Sequence, residues 1–181
     1  MPAHAGQLLV ASRRLTDPNF AHAVVLLVQH DASGVLGLIL NRPLEITVAE
    51  SCGPSIEAAA DVEETVHQGG PCGGPLMVLH DDPAAGGEQI IPGVRFAVQR
   101  DEIESLMRGA QGRVRYYAGY SGWAVDQLDA ELEEGAWLTA PADVELVFTT
   151  KPESIWSDLM TRLTLGQWID PDKLPDDPSV N

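Results

Sequence analysis

Short apolar runs separated by glycine, proline and acidic residues make up most of the chain. QLLVA (7–11), AVVLLVQ (23–29) and VLGLIL (35–40) have strand length and are rich in β-branched residues. HDASG between the last two is a turn signal, so residues 23–41 read as a strand, a tight turn and a second strand. Pro43 supplies no backbone N–H, and Asn41, Arg42 and Pro43 are expected to end that hairpin. Residues 47–60 carry helical stretches on both sides of Cys52, Gly53 and Pro54, which predicts two short helical pieces. Leu76–Leu79 reads as a buried strand, 81–93 as a loop, and Arg95–Val98 as another strand. Asp101 with Glu104 predicts a capping box at the start of a helix running to Arg108.

Further along, Arg113–Tyr117 alternates like a half-exposed strand, and an acidic helix is expected over Asp126–Glu134. Ala136–Leu138 and Glu145–Thr149 read as closing strands about a turn at Pro141. Over Glu153–Leu163 the apolar residues Ile155, Trp156, Leu159, Met160 and Leu163 share one face at the helical period. Strands in adjacent pairs, without strict alternation with helices, predict an α+β class with a largely antiparallel or mixed sheet. A single domain is expected over residues 1–169. Residues 170–181 (DPDKLPDDPSVN) read as a disordered, acidic, proline-rich tail.

Charge narrows the class of partners. The 181 residues hold 27 acids and 11 Lys or Arg, a net of −16, of which only −1 falls on residues 1–50. Such a field repels phosphate backbones and anionic membranes, so direct nucleic-acid binding and membrane association are not expected. Two cysteines, Cys52 and Cys72, provide neither a disulfide framework nor a four-thiolate metal site. With no apolar signal segment and no apolar run of membrane length, the expected location is the cytoplasm.

QGGPCGGPLMVLHDD (68–82) concentrates the candidate chemistry. Its glycines match neither nucleotide-loop spacing, and Pro71 and Pro75 remove N–H donors that a phosphate cradle uses, so a demanding backbone turn leading into a buried strand is expected. Cys72 reads as a small apolar filler, with a reactive thiol as the alternative. His30-Asp31 and His80-Asp81-Asp82 each close an apolar run, and either set offers metal-ligating groups if the fold brings them together. RVRYYAGYSGW (113–123) interleaves arginine with aromatics and reads as a strand entering a turn. Tyr120-Ser121-Gly122 lacks the spacing of a nucleophile elbow.

Five blocks, in order, resemble one family. They are GQLLVASRRLTDPNF (6–20), VVLLVQHDASGVLGLILNRP (24–43), QGGPCGGPLMVLH (68–80), YAGYSGWAVDQLDAELEEGAWL (117–138) and WSDLMTRLTLG (156–166). The chain is similar to the YqgE/AlgH family of bacterial proteins. The resemblance implies one compact α+β domain with a bent or bifurcated, partly barrel-like sheet surrounded by helices. One branch of the family carries the label of transcriptional regulator, and the resemblance transfers no catalytic constellation. The chain departs from the family pattern at Arg13-Arg14 and at Ala124–Leu128.

The reading that follows is a noncatalytic regulatory or interaction protein, monomeric or weakly oligomeric, with a protein or small-molecule partner and no implied cofactor or metal. The alternative is a small-molecule- or metal-binding protein, or a hydrolase-like enzyme, with a cleft near His30, Arg42, His80 and Trp123. The candidate pocket comprises His30, Asn41, Arg42, Gly69, Gly70, Pro71, His80, Tyr120, Gly122, Trp123 and Gln127.

Overall fold

Eleven short strands in a computed structural model, which describes residues 4–166, assort into two sheets; the predicted tail at 170–181 lies outside the described residues. β1 (Gln7–Ala11), β2 (Val24–Asp31) and β3 (Gly34–Ile39) form the antiparallel centre of the first sheet. β11 (Trp137–Pro141) joins beside β1, and β10 (Ser121–Trp123) joins beside β3. The β2–β3 turn falls on Ala32 and Ser33, and the Asp31 carboxylate accepts the Ser33 N–H at 2.8 Å, which is the turn chemistry the sequence carried.

The second sheet runs in the order β4 (Pro43–Thr47), β5 (Thr65–Gln68), β9 (Val114–Ala118), β6 (Met77–His80), β8 (Val94–Ala97) and β7 (Glu88–Ile91). It is antiparallel except between β5 and β9. The architecture is the α+β class expected, with two sheets and, among the described residues, no closed barrel.

The alternation of side chains divides the core into layers. Leu8, Val10, Leu26 and Leu38 of the first sheet meet Met77, Leu79, Phe96 and Tyr117 of the second. The opposite face of the first sheet, with Leu9, Val25, Leu27 and Ile39, is covered by Leu128 of α3 (Val125–Glu133) and by Trp123 and Trp137. The outer face of the second sheet packs Val66, Val78 and Tyr116 against α1 (Val48–Cys52) and α2 (Arg100–Gly109). α5 (Ile155–Thr164) closes one side with Ile155, Leu159 and Met160, and its Trp156 indole donates to the Ala11 carbonyl at 2.8 Å.

β3 ends at Ile39, so the hairpin stops ahead of Pro43 as expected, and Pro43 opens β4, an edge strand where a missing N–H removes no ladder bond. Three local expectations are corrected. The stretch 81–93 contains β7, also an edge strand. Glu145–Thr149 is not a strand: α4 (Val144–Val147) occupies it, because the Asp143 carboxylate caps the Leu146 N–H at 2.8 Å and makes one helical turn cheaper than extension. Asp101 does not cap α2, whose N-cap is Gln99; Glu104 pairs with Arg100 at 2.7 Å and Arg108 at 2.8 Å along the helix surface. A capping box does form at α1, between Thr47 and Glu50.

Candidate functional site

The two sheets are joined where the glycine-rich run meets the end of β9. Gly69 N–H donates to Ala118 O at 3.0 Å, and Gly69 O accepts from Ile39 N at 2.9 Å, so one residue ties a strand of each sheet. Cys72 and Tyr120 then exchange both backbone hydrogen bonds, each at 3.0 Å. The buried Ser121 hydroxyl donates to Gly69 O at 3.0 Å. A Cβ on Gly69 would stand 2.3 Å from Gly119 O, and Gly119 has φ +73°, so the segments meet backbone to backbone. The demanding turn expected at 68–75 is this junction, and it delivers the buried strand β6 with His80 at its end.

Beside the junction the inner face of the first sheet extends past its cover, and a groove of about 380 Å³ opens. Gln29, Leu36 and Gly122 lie in one cross-strand row and form its floor, Gly122 leaving the floor flat. Tyr120, Cys72 and Ser33 stand around it; Trp123 borders it from the next position of β10, its ring packed on the opposite face of the sheet. The Tyr120 ring is bracketed by glycines, since a Cβ on Gly74 or Gly122 would come within 3.1 or 3.2 Å of it. Trp123 is fixed from behind by Phe20 (rings 5.9 Å apart, stacked) and by Trp137 (5.9 Å, edge-on). Glu131 of α3 accepts both indole N–H groups through a single oxygen, at 2.9 Å from Trp123 and 2.8 Å from Trp137. Its other oxygen accepts from Gln127 Nε2 at 3.0 Å.

Of the residues singled out in the sequence, Tyr120, Gly122 and Trp123 line this groove, and Gly69, Gly70 and Pro71 lead into it. Gln127 does not line it; its side chain accepts from the N–H of the lining residue Ala124 at 3.3 Å and donates to Glu131. His30 is half-buried at the end of β2, its ring 6.3 Å from that of His4. Asn41 and Arg42 face the loop before β2. The Asn41 amide accepts from Val24 N at 2.9 Å and donates to His22 O at 2.8 Å, while Arg42 donates to the carbonyls of Asn19 and Ala21.

His80 belongs to the other sheet and has no exposed surface; its Nε2 lies 2.8 Å from Gly86 O, pinning the loop after β6. Asp82 holds the same loop, accepting from the Ala84 and Gln111 N–H groups at 2.8 Å each. His30, Arg42, His80 and Trp123 therefore do not meet in one pocket. Among the described residues no group of three or more His, Cys, Asp or Glu is placed to hold a metal ion. Nor is any described helix long and apolar enough to cross a membrane.

Several lining residues escaped the sequence reading, Gln29 and Leu36 among them, which sit in ordinary strand patterns. So did Glu131 on the covered face, which resembles any solvated acid of an acidic helix. The signal that could have found Glu131 is its spacing of eight from Trp123 and six from Trp137, on a short helix that links the two edge strands of the first sheet.

His67, also unflagged, lies on β5 with its ring 5.6 Å from that of Tyr117. Burial, and then the Arg115 charge, push its pKa down to about 4. Above pH 6.5 the imidazole is neutral whether the chain is folded or not. Between 6.5 and 4 only the unfolded chain takes up the proton, so stability falls as pH falls through that window. The expected loss is on the order of 2 kcal/mol by pH 4, and replacing His67 with Gln should flatten the urea midpoint between pH 6.5 and 5. An unchanged slope in that variant would assign the acid sensitivity elsewhere.

The AlgH-like family model matches residues 8–167. A UPF0301 protein of Chlorobaculum tepidum is 39% identical over 158 residues, covering 84% of this chain and 82% of that protein. One from Methylococcus capsulatus is 38% identical over 165 residues, covering 86% and 89%. The solution structure of the AlgH protein from Pseudomonas aeruginosa superposes with a TM-score of 0.71 at 29% identity, covering 90% of this chain and 93% of that one. A crystal structure from Corynebacterium diphtheriae shares the fold at 22% identity, with a TM-score of 0.73 over 90% and 88%. The match spans both sheets, the glycine junction and the groove, and the chain belongs to the AlgH-like family.

Proposed function

We propose that this protein is a noncatalytic cytoplasmic regulatory protein that recognises a protein or small-ligand partner in the groove over β3 and β10. The observation carrying the reading is the contrast between that groove and the rest of the polar inventory. Asn41, Arg42, His80 and Asp82 spend their hydrogen bonds on backbone groups of their own chain. The groove instead presents a half-buried tyrosine and a thiol around a flat floor, with an exposed glutamine whose Nε2 bonds Asp31, which is the mixed lining of a recognition site. A hydrolytic reading built on His80 finds less support, because that imidazole has no exposed surface.

Direct DNA binding is also poorly supported. In the arginine–aromatic segment, Arg113 pairs with Asp81 at 2.7 Å and Glu145 at 3.1 Å and lies over the Phe148 ring. Arg115 donates to the carbonyls of Val147 and Thr149. These guanidinium groups serve the fold, and the −16 net charge opposes phosphate.

Amide-resolved NMR against a panel of metabolites and peptides tests the groove: shifts should appear at Gln29, Leu36 and Tyr120–Ala124, and a panel that moves only other residues sinks the reading. In a mobility assay at about 150 mM salt, promoter fragments should run unshifted. A shift abolished by replacing Arg113 and Arg115 would reverse the conclusion about DNA.

A further inference from the structure

Strand β10 carries an unfilled pairing edge next to the groove. Tyr120 N–H and C=O both bond Cys72, on the side away from β3. Backbone groups of alternate residues in a strand point the same way, so those of Gly122 point outward too, and Gly122 is exposed. The Cys72 segment therefore covers this edge for one residue and leaves the next pairing position open. A residue paired opposite Gly122 from outside would point its side chain to the same face as Gly122, over Leu36 and beside Tyr120. Gly122 adds no side chain of its own to the row, and the Tyr120 ring and Cys72 Sγ border the position.

Charge selects what would sit there. α3 starts directly after this edge and bears Asp126, Asp129, Glu131 and Glu133 with no basic residue. Asp31 stands by the groove's far wall, bonded by Ser33 and Gln29, and those bonds hold it ionised with a pKa of about 2. Lys and Arg also suit the lining, since their aliphatic stems lie well on Leu36 and Tyr120.

We propose that the β10 edge receives an extended, Lys- or Arg-bearing segment of a partner protein, which adds as a further strand through Gly122 and places one basic side chain in the groove. This rests on the groove being the recognition site and names the class of partner it takes. Main-chain bonds would supply affinity and the inserted residue selectivity, as in strand addition generally.

The probe is a short peptide of alternating lysine and threonine, compared with the same peptide N-methylated at every second residue and with a glutamate–threonine counterpart. The full chain should bind the first, with NMR shifts confined to Gln29, Leu36 and Tyr120–Ala124. N-methylation, which removes donors and keeps charge, should weaken binding by about tenfold or more, as should Gly122→Val. The glutamate peptide should not bind. Equal affinity for the N-methylated peptide, or shifts spread along α3, would reduce the effect to general electrostatics and overturn the proposal. So would a concentration-dependent dimer joined through β10, which would make a second copy the occupant. If metabolites move the groove residues and neither peptide does, the groove reading stands and the basic strand is wrong; if nothing moves them, both are wrong.

Discussion

Replacing Gly70 with Ala is expected to leave no stably folded protein, while the same change three residues later, at Gly73, should be nearly silent. The added methyl at Gly70 would sit 2.3 Å from both the carbonyl carbon and oxygen of Tyr120 and 2.4 Å from the Ser121 nitrogen. These are backbone atoms, fixed by the Cys72–Tyr120 exchange on one side and by β10–β3 pairing on the other, so no rotamer change relieves the overlap. Relief requires the glycine segment to part from β10, opening the joint between the sheets. A cost above about 4 kcal/mol follows, a large share of the roughly 5–15 kcal/mol that holds a domain together. At Gly73 a Cβ meets nothing within 4 Å, and the change should stay within about 0.5 kcal/mol. Denaturant unfolding of the two variants is the measurement; a Gly70→Ala protein with wild-type stability would mean that the sheets are not joined there as described.

This junction explains what could be read in advance and what could not. The apolar runs of β1, β2, β3 and β6 are buried on both faces or nearly so, and a continuous apolar run is visible in one dimension. Edge strands lack that signature: β4 alternates between exposed and half-buried positions and opens with proline, and β7 is exposed or half-buried throughout. The segment at 145–149 misled for the opposite reason. Its residues favour strands, but an aspartate cap outweighed their preference over so short a span.

The candidate site divides along the same line. Backbone demands print themselves in sequence as glycine, and Gly69, Gly70 and Gly122 fall at the junction of the two sheets or on the groove floor beside it. Polar residues do not announce whether they face a ligand or a carbonyl of their own chain. Asn41, Arg42 and His80 looked like site residues, and each is bonded or aimed at backbone within the fold. Glu131 shows the converse, an unremarkable acid in an acidic helix that fixes two buried indoles on the covered face of the first sheet.

For that reason Glu131→Ala should have the second-largest effect. Two indole N–H groups, on side chains 5% and 2% exposed, would lose their acceptor together, with no alternative oxygen bonded to either and little water at hand. Orphaning two buried donors that now bond a carboxylate should cost about 3 kcal/mol in unfolding free energy, and Glu131→Gln, which keeps an acceptor without the charge, about 1 kcal/mol. The indole N–H resonances of Trp123 and Trp137 should move upfield in the Ala variant, while that of Trp156, bonded to Ala11 O, stays in place. A Glu131→Ala protein as stable as the parent, with all three indole signals unmoved, would show that the carboxylate does not hold the tryptophans and that their placement is set by the Phe20, Trp123 and Trp137 packing alone.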